Sequence, residues 1–292
     1  MSKTKSARVE NLLAKRAIHE QWAGDYRTIE NEKFFEEAFD YITGVLDSPK
    51  DATILDVGCG SCAHSVRLAN RRFNVRAVDF SESALEMAEA NIKTRGLEDR
   101  VRIQRENLLN LTFADDTFDY VLCWGVLMHI PDVTKALSEL MRVVKPGGTI
   151  IISEGNMHSP QAVILKALKL ALGREKATVK KTTAGMEYWK IDDKDALVTR
   201  QADIGWLLET FKNSGFTLKK RVAGQLTEVY TMVSSPSLKR LIHGLNNFWF
   251  RHIRNPHLSY GNILILQKQP TPEERMNGSI AKRRQQQSKY SR

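Results

Sequence analysis

The chain has 292 residues, and 42% of them are hydrophobic, so it can bury one sizeable core with a cap or a small second lobe. No apolar run reaches the length of a membrane span, and the N-terminal sequence MSKTKSARVE lacks the apolar stretch of a signal peptide. Three cysteines are too few for a disulfide framework, which favours a reducing compartment. We therefore expect a cytoplasmic protein.

The net charge of +10 is concentrated at the two ends of the sequence. Residues 1–8 and 275–292 contain nine Lys and Arg residues and no acid, so the body between them carries only +1. Basic tails contact RNA or anionic lipid in some proteins, and in others they only improve solubility. Because residues 270–292 are rich in Gln, Ser and basic residues, we expect this segment to be disordered.

The first part of the chain is predicted to be helical. Residues 10–46 have helical periodicity, with aromatic side chains such as Trp22 and Tyr26 interleaved with charges. From there on, short apolar strands alternate with helices. The predicted strands are TILDVG, VRAVDF, VRIQREN, FDYVLCWG and TIIISEGN. The predicted helices are CAHSVRLANRR, SESALEMAEANIKTRG with Ser81 as its N-cap, and VTKALSELMRVV, which Pro146 stops.

The remaining sequence adds a helix, DIGWLLETFKNSGF, and two strands, TLKKRVAGQLTE and NILILQKQ, which are separated by the helical stretch LKRLIHGLNNFWFRHIR. Repeated strand–helix units of this length imply a parallel sheet covered by helices on both faces. The predicted fold is α/β: a Rossmann-like, doubly wound, mostly parallel seven-stranded sheet with helical cap insertions.

Five segments follow from this pattern. Residues 1–46 are predicted to form an N-terminal helical lid, and residues 47–156 a Rossmann-like, cofactor-binding core. Residues 157–200 are expected to be a helical cap insertion. The core then continues over 201–269, with a second insertion at about 234–258. The basic tail, 270–292, completes the chain.

The stretch ILDVGCGSCAHS, residues 54–65, combines a glycine turn with a Cys-x-x-Cys. A strand, a glycine turn and a helix present backbone N–H groups to a ligand at the carboxyl edge of a sheet. Gly58, Gly60 and Ala63 satisfy a loose dinucleotide fingerprint, and Asp79 follows at the distance of a ribose-binding acid. This pattern alone leaves a nicotinamide dinucleotide possible.

A longer series of motifs is more specific. The segment from Asp56 to Gly60 resembles the first motif of class I S-adenosylmethionine-dependent methyltransferases of the small-molecule type. The resemblance continues through VRAVDFS, FDYVLCWGVLMHI and LMRVVKPGGTIIISE, in the order and spacing of that family. It covers roughly residues 50–155, and it implies S-adenosyl-L-methionine as the cofactor.

The resemblance also implies roles for single residues. Asp56 would help to position the methionine end of the cofactor, and Asp79 would accept hydrogen bonds from both ribose hydroxyls. Asn107 stands where many relatives have an acid that binds the adenine amino group, and its carbonyl can accept the same hydrogen bond without charge. The other predicted cofactor-binding residues are Gly58, Cys59, Gly60, Phe80 on the adenine, Leu108 and Trp124.

The two cysteines of the loop have a second interpretation. A helix N-terminus lowers a thiol pKa, so a redox role for Cys59 and Cys62 is physically possible. Structural zinc needs two more ligands, and only His64 is near in sequence. We interpret Cys62 as a small buried apolar residue that packs the helix against the strand. No carboxylate cluster has metal-site spacing, so we expect no metal.

Methyl transfer requires alignment of the acceptor and, for some acceptors, removal of a proton. His129, in the loop after the CWG strand, is the best candidate for a base, although it could equally hold the loop. Glu154 follows the next strand and could bind or deprotonate an acceptor, or cap a helix. Trp22 and Tyr26 resemble an aromatic lid over the cofactor, with simple core packing as the alternative.

The two insertions are expected over the carboxyl edge of the sheet, where acceptor choice is made. Residues 160–181 carry +5 and residues 237–258 carry +4, which leaves the rest of the body near −8. Both segments are also rich in apolar residues. They suit an amphiphilic anion or contact with an anionic membrane, and a solvated helical cap is the alternative.

The sequence therefore predicts an S-adenosylmethionine-dependent methyltransferase acting on a small or amphiphilic anionic metabolite, most simply at oxygen. Three alternatives remain. A tRNA or rRNA methyltransferase would fit the basic tails, but the sequence has no recognisable RNA-binding module. A noncatalytic cofactor-binding protein would fit the departures from the family pattern at Asn107 and at Cys62, where many members have a third glycine. A dehydrogenase would require that a nicotinamide dinucleotide binds instead.

Overall fold

The computed structural model of the protein describes residues 3–46, 51–171 and 177–270. Ten strands occur in these ranges. They are β1 Thr53–Val57, β2 Asn74–Asp79, β3 Val101–Arg105, β4 Phe118–Trp124, β5 Val144–Gly155, β6 Thr178–Thr182, β7 Gly185–Ile191, β8 Ala196–Ala202, β9 Phe216–Ala223 and β10 Gly261–Lys268.

The described ranges also contain nine α-helices. They are α1 Lys3–Leu13, α2 Arg16–Tyr26, α3 Ile29–Leu46, α4 Ala63–Asn70, α5 Glu82–Thr94, α6 Val133–Val143, α7 Pro160–Ala171, α8 Ile204–Asn213 and α9 Pro236–His252. Polar N-caps fix several of these starts. As predicted, Ser81 Oγ accepts a hydrogen bond from the Ala84 N–H, and Asp132, Asp203 and Ser235 cap α6, α8 and α9 in the same way.

The central sheet has the order β3-β2-β1-β4-β5-β10-β9. Its neighbouring strands pair in parallel except where β10 runs antiparallel to β5 and β9. The strands are rich in Ile, Val and Leu because helices cover both faces. One face packs on α6 and α8, and the other on α3, α4 and α5. The predicted doubly wound, mostly parallel seven-stranded sheet is confirmed.

The carboxyl edge of this sheet is where both insertions leave the core. The parallel strands β1, β4 and β5 end there, and antiparallel β10 begins there beside the end of β9. The chain between β5 and α8 and the chain between β9 and β10 therefore both emerge at this edge. Both segments therefore start at the edge where ligands bind in sheets of this kind.

The prediction of a helical insertion over residues 157–200 was wrong. The segment contains α7, but β6, β7 and β8 follow as a three-stranded antiparallel sheet, which we call the β-insertion. The residues of β8, ALVTRQA, alternate strictly between buried and partly buried positions. This period of two is the signature of a half-buried strand.

The N-terminal segment divides into two parts with different environments. Helix α3 belongs to the core, where Phe34, Phe39 and Ile42 are buried against the sheet. Helix α1 instead packs Val9 and Leu13 on the β-insertion. The predicted lid over residues 1–46 therefore included a core helix, because α3 packs on the sheet, whereas α1 and α2 lie over the carboxyl edge.

Part of the basic sequence lies outside the described residues. This applies to residues 271–292, nearly all of the segment predicted to be disordered, and to residues 172–176 of the first insertion. Within the ranges that the structure does describe, no helix combines the length and apolarity needed to cross a bilayer.

Candidate functional site

Two adjoining cavities lie at the carboxyl edge. The first, of about 200 Å³, is bounded by the ends of β1 and β2, the loop after β3, and α1. Most of the predicted cofactor-binding residues line it: Gly58, Gly60, Asp79, Phe80, Asn107, Leu108 and Trp124. We call it the first cavity.

The glycine loop, residues 58–62, forms one wall of the first cavity. Gly58 has φ of +69°, and a Cβ at this position would lie 2.5 Å from Val126 Cγ2, so only glycine fits without strain. The N–H groups of Gly58 and Cys59 donate to the carbonyl of Val78 at 2.8 and 3.0 Å, which ties the loop to β2. The loop is therefore held in one conformation before any ligand binds.

Asp79 stands at the end of β2, facing this loop. Its Oδ2 accepts the Gly60 N–H at 3.0 Å, and its Oδ1 accepts the Ser81 N–H at 2.9 Å. Burial raises the pKa of Asp79, while these backbone hydrogen bonds oppose the increase. Each carboxylate oxygen keeps a further lone pair, so the pair can accept hydrogen bonds from a vicinal diol such as a ribose.

Asp56 lies behind the glycine loop and lines neither of the two cavities. Ser65 Oγ donates to its Oδ2 at 2.5 Å, and burial raises its pKa to about 6. The carboxylate thus joins β1 to α4. Its contact with the methionine end of the cofactor stays a prediction.

The loop after β3 lines the first cavity with Glu106, Asn107 and Leu108, and Glu106 also holds the loop itself. Glu106 accepts hydrogen bonds from Gln104 Nε2 at 2.6 Å and from the Thr112 N–H at 3.0 Å. Asn107 Oδ1 accepts the Leu109 N–H at 2.9 Å, so its second lone pair is the one left for a ligand.

The second cavity, of about 360 Å³, adjoins the first and is lined by more aromatic side chains. The two cavities share part of their wall: His19, Trp22, Gly60, Trp124, Gly125 and His129. Tyr26, the second predicted lid residue, lines the second cavity, and so does Cys59. Of the residues predicted from the sequence, Trp22, Gly60, Trp124 and His129 therefore lie where the two cavities adjoin.

His129 belongs to the short 3₁₀-helix Leu127–His129 after β4, which we call the His129 turn. Its Nδ1 lies 2.8 Å from the carbonyl oxygen of Val198 in β8. A carbonyl only accepts, so Nδ1 carries the proton and the lone pair is on Nε2. Burial lowers the pKa of His129 to about 4, and the charge of Arg200 also lowers it. The ring is therefore neutral at pH 7.

Arg200 and Glu187, which sequence reasoning missed, hold the His129 turn against the β-insertion. Both are buried and form an ion pair at 2.8 Å. Arg200 Nη1 also donates to the carbonyl oxygens of Leu127 at 2.8 Å and Ile130 at 3.0 Å. The sequence did contain one signal for Arg200: it lies on the buried face of a strand with alternating apolarity. A buried charge of this kind requires partners inside the protein.

Glu154 does not reach either cavity, contrary to its predicted role with the acceptor. It is buried beneath the His129 turn, beside a separate small void that Leu127 and Arg200 also line. Neither carboxylate oxygen has a hydrogen-bond partner, and burial raises the pKa to about 8. The reason for the error is local: Glu154 points away from the side of β5 on which the second cavity lies.

Two further residues of the second cavity were not identified from the sequence. Arg27, at the end of α2, and Glu228, in the chain after β9, both line it. Neither belongs to a motif, so only the fold brings them to the site.

Both cysteines of the Cys-x-x-Cys belong to the glycine loop, and the pKa of Cys59 argues against a reactive pair. Cys62 is fully buried before α4, as expected. A hydrogen bond with Cys62 and burial raise the pKa of the Cys59 thiol well above its usual value. This outweighs the effect of the helix N-terminus, so the thiol stays protonated and weakly nucleophilic.

Three features define the class I S-adenosylmethionine-dependent methyltransferase fold. They are the glycine loop after β1, the acid at the end of β2, and the strand β10, which is last in the sequence and antiparallel to its neighbours in the sheet. The first cavity fits S-adenosylmethionine, because Asp79 can bind the ribose diol and Phe80 provides an apolar wall for the adenine. Residues 55–152 match the family described as "Methyltransferase domain", and form a domain of this class.

Similar proteins agree on the domain. A demethylmenaquinone methyltransferase of Bacillus cytotoxicus is 38% identical over 113 residues, which are 38% of this chain and 47% of the relative. The chain thus spans about half the length of such curated relatives. An S-adenosylmethionine-dependent methyltransferase structure from Clostridium acetobutylicum has a TM-score of 0.55 at 15% identity, covering 86% of this chain and 99% of that one.

Another structure with the same fold carries a different name. The [4+2]-cyclase SpnF superimposes with a TM-score of 0.53 at 17% identity, covering 80% of this chain and 81% of that one. The fold alone therefore does not define the reaction, which depends on the residues of the site.

Proposed function

We propose that the chain transfers a methyl group from S-adenosylmethionine to an oxygen of a small or amphiphilic anionic metabolite. The observation that carries this proposal is the pair of adjoining cavities with Trp22 and His129 in their common wall. When bound, the cofactor supplies an activated methyl group on a sulfonium. The first cavity suits the cofactor, and the second has room for an acceptor.

The residues of this chain bind and orient the reactants. Asp79 and the glycine loop hold the cofactor, while the aromatic walls of the second cavity hold the acceptor and exclude water. Alignment of this kind can contribute about 7–11 kcal/mol to lowering a barrier. It is the main contribution that we assign to the protein.

His129 is the candidate for proton removal. Its unprotonated Nε2 belongs to a ring in the shared wall, so it can accept a hydrogen bond or a proton from an acceptor hydroxyl at pH 7. Its low pKa makes it a weak base, which suits an acceptor hydroxyl that is itself acidic.

Arg27 and the aromatic lining support an anionic, amphiphilic acceptor. Arg27 supplies a positive charge at the second cavity, and Trp22, Tyr26 and Phe35 supply flat apolar surfaces. The name of the demethylmenaquinone methyltransferase relatives also points to an acceptor with an apolar ring, although this chain spans only about half of their length.

A transfer assay with methyl-labelled S-adenosylmethionine tests the proposal. The full chain is incubated with a lysate of its source organism, and the label is measured in metabolite, lipid and RNA fractions. We expect label in the metabolite or lipid fraction, and none with Asp79→Ala. Label in RNA would overturn the acceptor class. Cofactor binding without transfer to any fraction would instead identify a noncatalytic binding protein.

A further inference from the structure

We propose that Glu228 recognises the acceptor by accepting a hydrogen bond from a hydroxyl group on an aromatic ring. This inference rests on the proposed function, because it assigns the second cavity to the acceptor. Glu228 lines the second cavity together with Tyr26 and Gln225. It also lines a smaller cavity of about 80 Å³ beside Tyr260, so it stands in the wall between the two.

The backbone of Glu228 is fixed, while its carboxylate is left for a ligand. Its N–H donates to Gln161 Oε1 at 2.9 Å, and its carbonyl accepts the Thr231 N–H at 3.0 Å. In the part of the chain that the structure describes, the carboxylate oxygens have neither a hydrogen bond nor an ion pair. The Glu228 carboxylate is therefore a partly buried acceptor on a fixed backbone, with no donor from the protein. This indicates that the ligand supplies the donor.

The polar side chains around Glu228 form hydrogen bonds with one another and not with its carboxylate. Tyr230 Oη donates to Gln225 Oε1 at 2.9 Å, and Gln225 Nε2 donates to Asn31 Oδ1 at 2.7 Å. Asn31 Nδ2 donates in turn to the Tyr26 carbonyl at 3.1 Å. This network fixes the surroundings of Glu228 and leaves its carboxylate as the open acceptor.

Electrostatics agree with a role at neutral pH. Burial raises the pKa of Glu228 to about 7, and its charge raises the pKa of Tyr26, Tyr230 and Tyr260 further above 10. These three tyrosines face Glu228 from α2, from the chain after β9 and from the start of β10. The charge of Glu228 also contributes to the raised pKa of Glu154 in β5, and Lys166 of α7 lines the small cavity beside Glu228.

The lining defines the class of ligand. Aromatic walls favour a flat ring, Glu228 requires a donor on that ring, and Arg27 suits a negative group elsewhere on it. A hydroxylated aromatic carboxylate or a similar hydroxylated ring combines these features. The hydroxyl bound by Glu228 orients the ring, whichever atom accepts the methyl group.

A matched pair of probes tests this inference. The affinities of 6-hydroxy-2-naphthoate and 2-naphthoate for the full chain are measured by calorimetry at pH 6 and pH 8. Since a hydrogen bond to a charged group contributes about 1.5–3 kcal/mol, we expect the hydroxylated probe to bind at least about tenfold more tightly at pH 8. The preference should decrease at pH 6, where Glu228 is largely protonated.

Glu228→Gln should reduce the preference to about twofold and remove its pH dependence, since the neutral amide gives a weaker, pH-independent hydrogen bond. Glu209→Gln, at an exposed position on α8, is the matched control and should behave as the wild type. No preference for the hydroxyl in the wild type, or the same preference in Glu228→Gln, would overturn the inference.

Calorimetry with S-adenosylmethionine separates this inference from the proposed function. Cofactor binding without a hydroxyl preference contradicts the role of Glu228 alone. Failure of the cofactor to bind contradicts the proposed function itself.

A second inference, based on a different observation, concerns the outer face of α9. Leu238, Leu241, Leu245 and Phe248 are exposed at helical spacing, Leu241 by 69% and Phe248 by 54%. The opposite face of α9 is the one that packs inward, through His243, Asn246 and Phe250. We call the exposed row the α9 stripe. A row of large apolar side chains facing solvent indicates a binding surface.

We infer that the α9 stripe docks on an anionic lipid surface. Helix α9 has no acid, and although its Arg251 is paired with Glu37, Lys239 and Arg240 give it a charge complementary to anionic headgroups. Val163 and Ile164 of α7 and Met232 are exposed as well, and Gln161 Oε1 ties α7 to Thr227, whose N–H donates to Asn246 of α9.

Vesicle sedimentation tests this docking. The full chain should bind phosphatidylcholine vesicles containing a quarter phosphatidylglycerol, and bind pure phosphatidylcholine vesicles weakly. Leu241→Ser with Phe248→Ser should reduce binding at least about tenfold, because each buried apolar side chain contributes about 1.5–3 kcal/mol. Ile29→Ser, which removes an apolar side chain exposed elsewhere, is the control.

Two outcomes would overturn the lipid assignment. One is vesicle binding that the double variant does not change. The other is a wild-type dimer in sedimentation velocity that the double variant dissociates, since the stripe would then bind a second copy. Thermal unfolding of the variants checks that the fold is retained.

Discussion

The indole of Trp22 lies parallel to the imidazole of His129, with ring centroids 4.8 Å apart and planes inclined by 17°. Trp22 comes from α2, and His129 from the turn after β4, so this contact joins the N-terminal lid to the core. It covers one face of the imidazole, and the Val198 carbonyl fixes the Nδ1 edge. The Nε2 edge is thereby the part of His129 left for a ligand.

Replacing Trp22 tests whether this stacking matters for the reaction. Trp22→Ala should lower kcat/KM by about two- to tenfold, since an aromatic pair contributes about 0.5–1.5 kcal/mol beyond the area it buries. Trp22→Phe keeps a ring and should lose much less. The rates are measured by transfer of labelled methyl. Equal losses in the two variants would show that the ring does not position His129.

Asp79→Ala should raise the dissociation constant of S-adenosylmethionine at least about tenfold, because charge-assisted hydrogen bonds to the ribose would be lost. Isothermal titration calorimetry measures the change. Asp119→Ala is a suitable control, since Asp119 bonds to Thr53 and Lys145 at the opposite edge of the sheet. Unchanged affinity in Asp79→Ala would contradict the placement of the ribose in the first cavity.

Gly58→Ala should weaken cofactor binding more than Gly60→Ala does. Both glycines have positive φ, which costs other residues about 1–2 kcal/mol, but only a Cβ at Gly58 would collide with Val126. Adding Val126→Ala to Gly58→Ala should therefore recover part of the affinity. If the double variant bound no better than Gly58→Ala, the collision would not be the cause.

Glu154 gives the protein a measurable pH dependence of stability. Its pKa is raised from 4.5 to about 8 in the folded state, so the folded state binds more protons than the unfolded state between these values. Stability should then fall as pH rises through this window, with a slope of at most about 1.4 kcal/mol per pH unit from this group. Thermal unfolding from pH 5 to pH 8.5 measures the effect.

The comparison with Glu154→Gln isolates this group from the other carboxyls that titrate nearby. The amide cannot ionise, so the difference in melting temperature between variant and wild type should grow in favour of the variant as pH rises. Parallel curves would show that Glu154 does not lose its proton in this range.

Arg200→Met should reduce the free energy of unfolding in urea by about 3–5 kcal/mol, because Glu187 is left as an unpaired buried charge. Replacing both residues, in Arg200→Met with Glu187→Met, should recover part of this stability. Methyl transfer should stay low in both variants, since the hydrogen bonds from Arg200 to the His129 turn are missing. Full activity in the double variant would exclude a positioning role for Arg200.

The sequence predicted the parts of the fold that depend on local patterns. The strands β1 to β5 are short apolar runs between capped helices, and the positions of Gly58 and Asp79 followed from their place after β1 and at the end of β2. These features are readable because each depends on a few neighbouring residues. The same holds for Ser81, whose role as a cap depends on the next three residues.

The remaining features depend on contacts between distant segments. The β-insertion was read as helical although β8 alternates in apolarity, because basic residues and a preceding apolar helix dominate the composition. Arg200 and Glu228 belong to no motif, and only the folded chain shows their partners or cavity. The prediction for Glu154 failed for a different reason. Its position in the sequence was right, but the direction of its side chain was not predictable.

The hydrogen bond from His129 to the Val198 carbonyl has a consequence for protein engineering. Segments over the carboxyl edge are natural targets for grafting when a new substrate is wanted. In this protein the grafted piece would include β8, and with it the backbone group that selects the tautomer of the imidazole. An exchange of the β-insertion would therefore alter reactivity together with selectivity, unless the new segment brings its own counterparts of Val198 and Arg200.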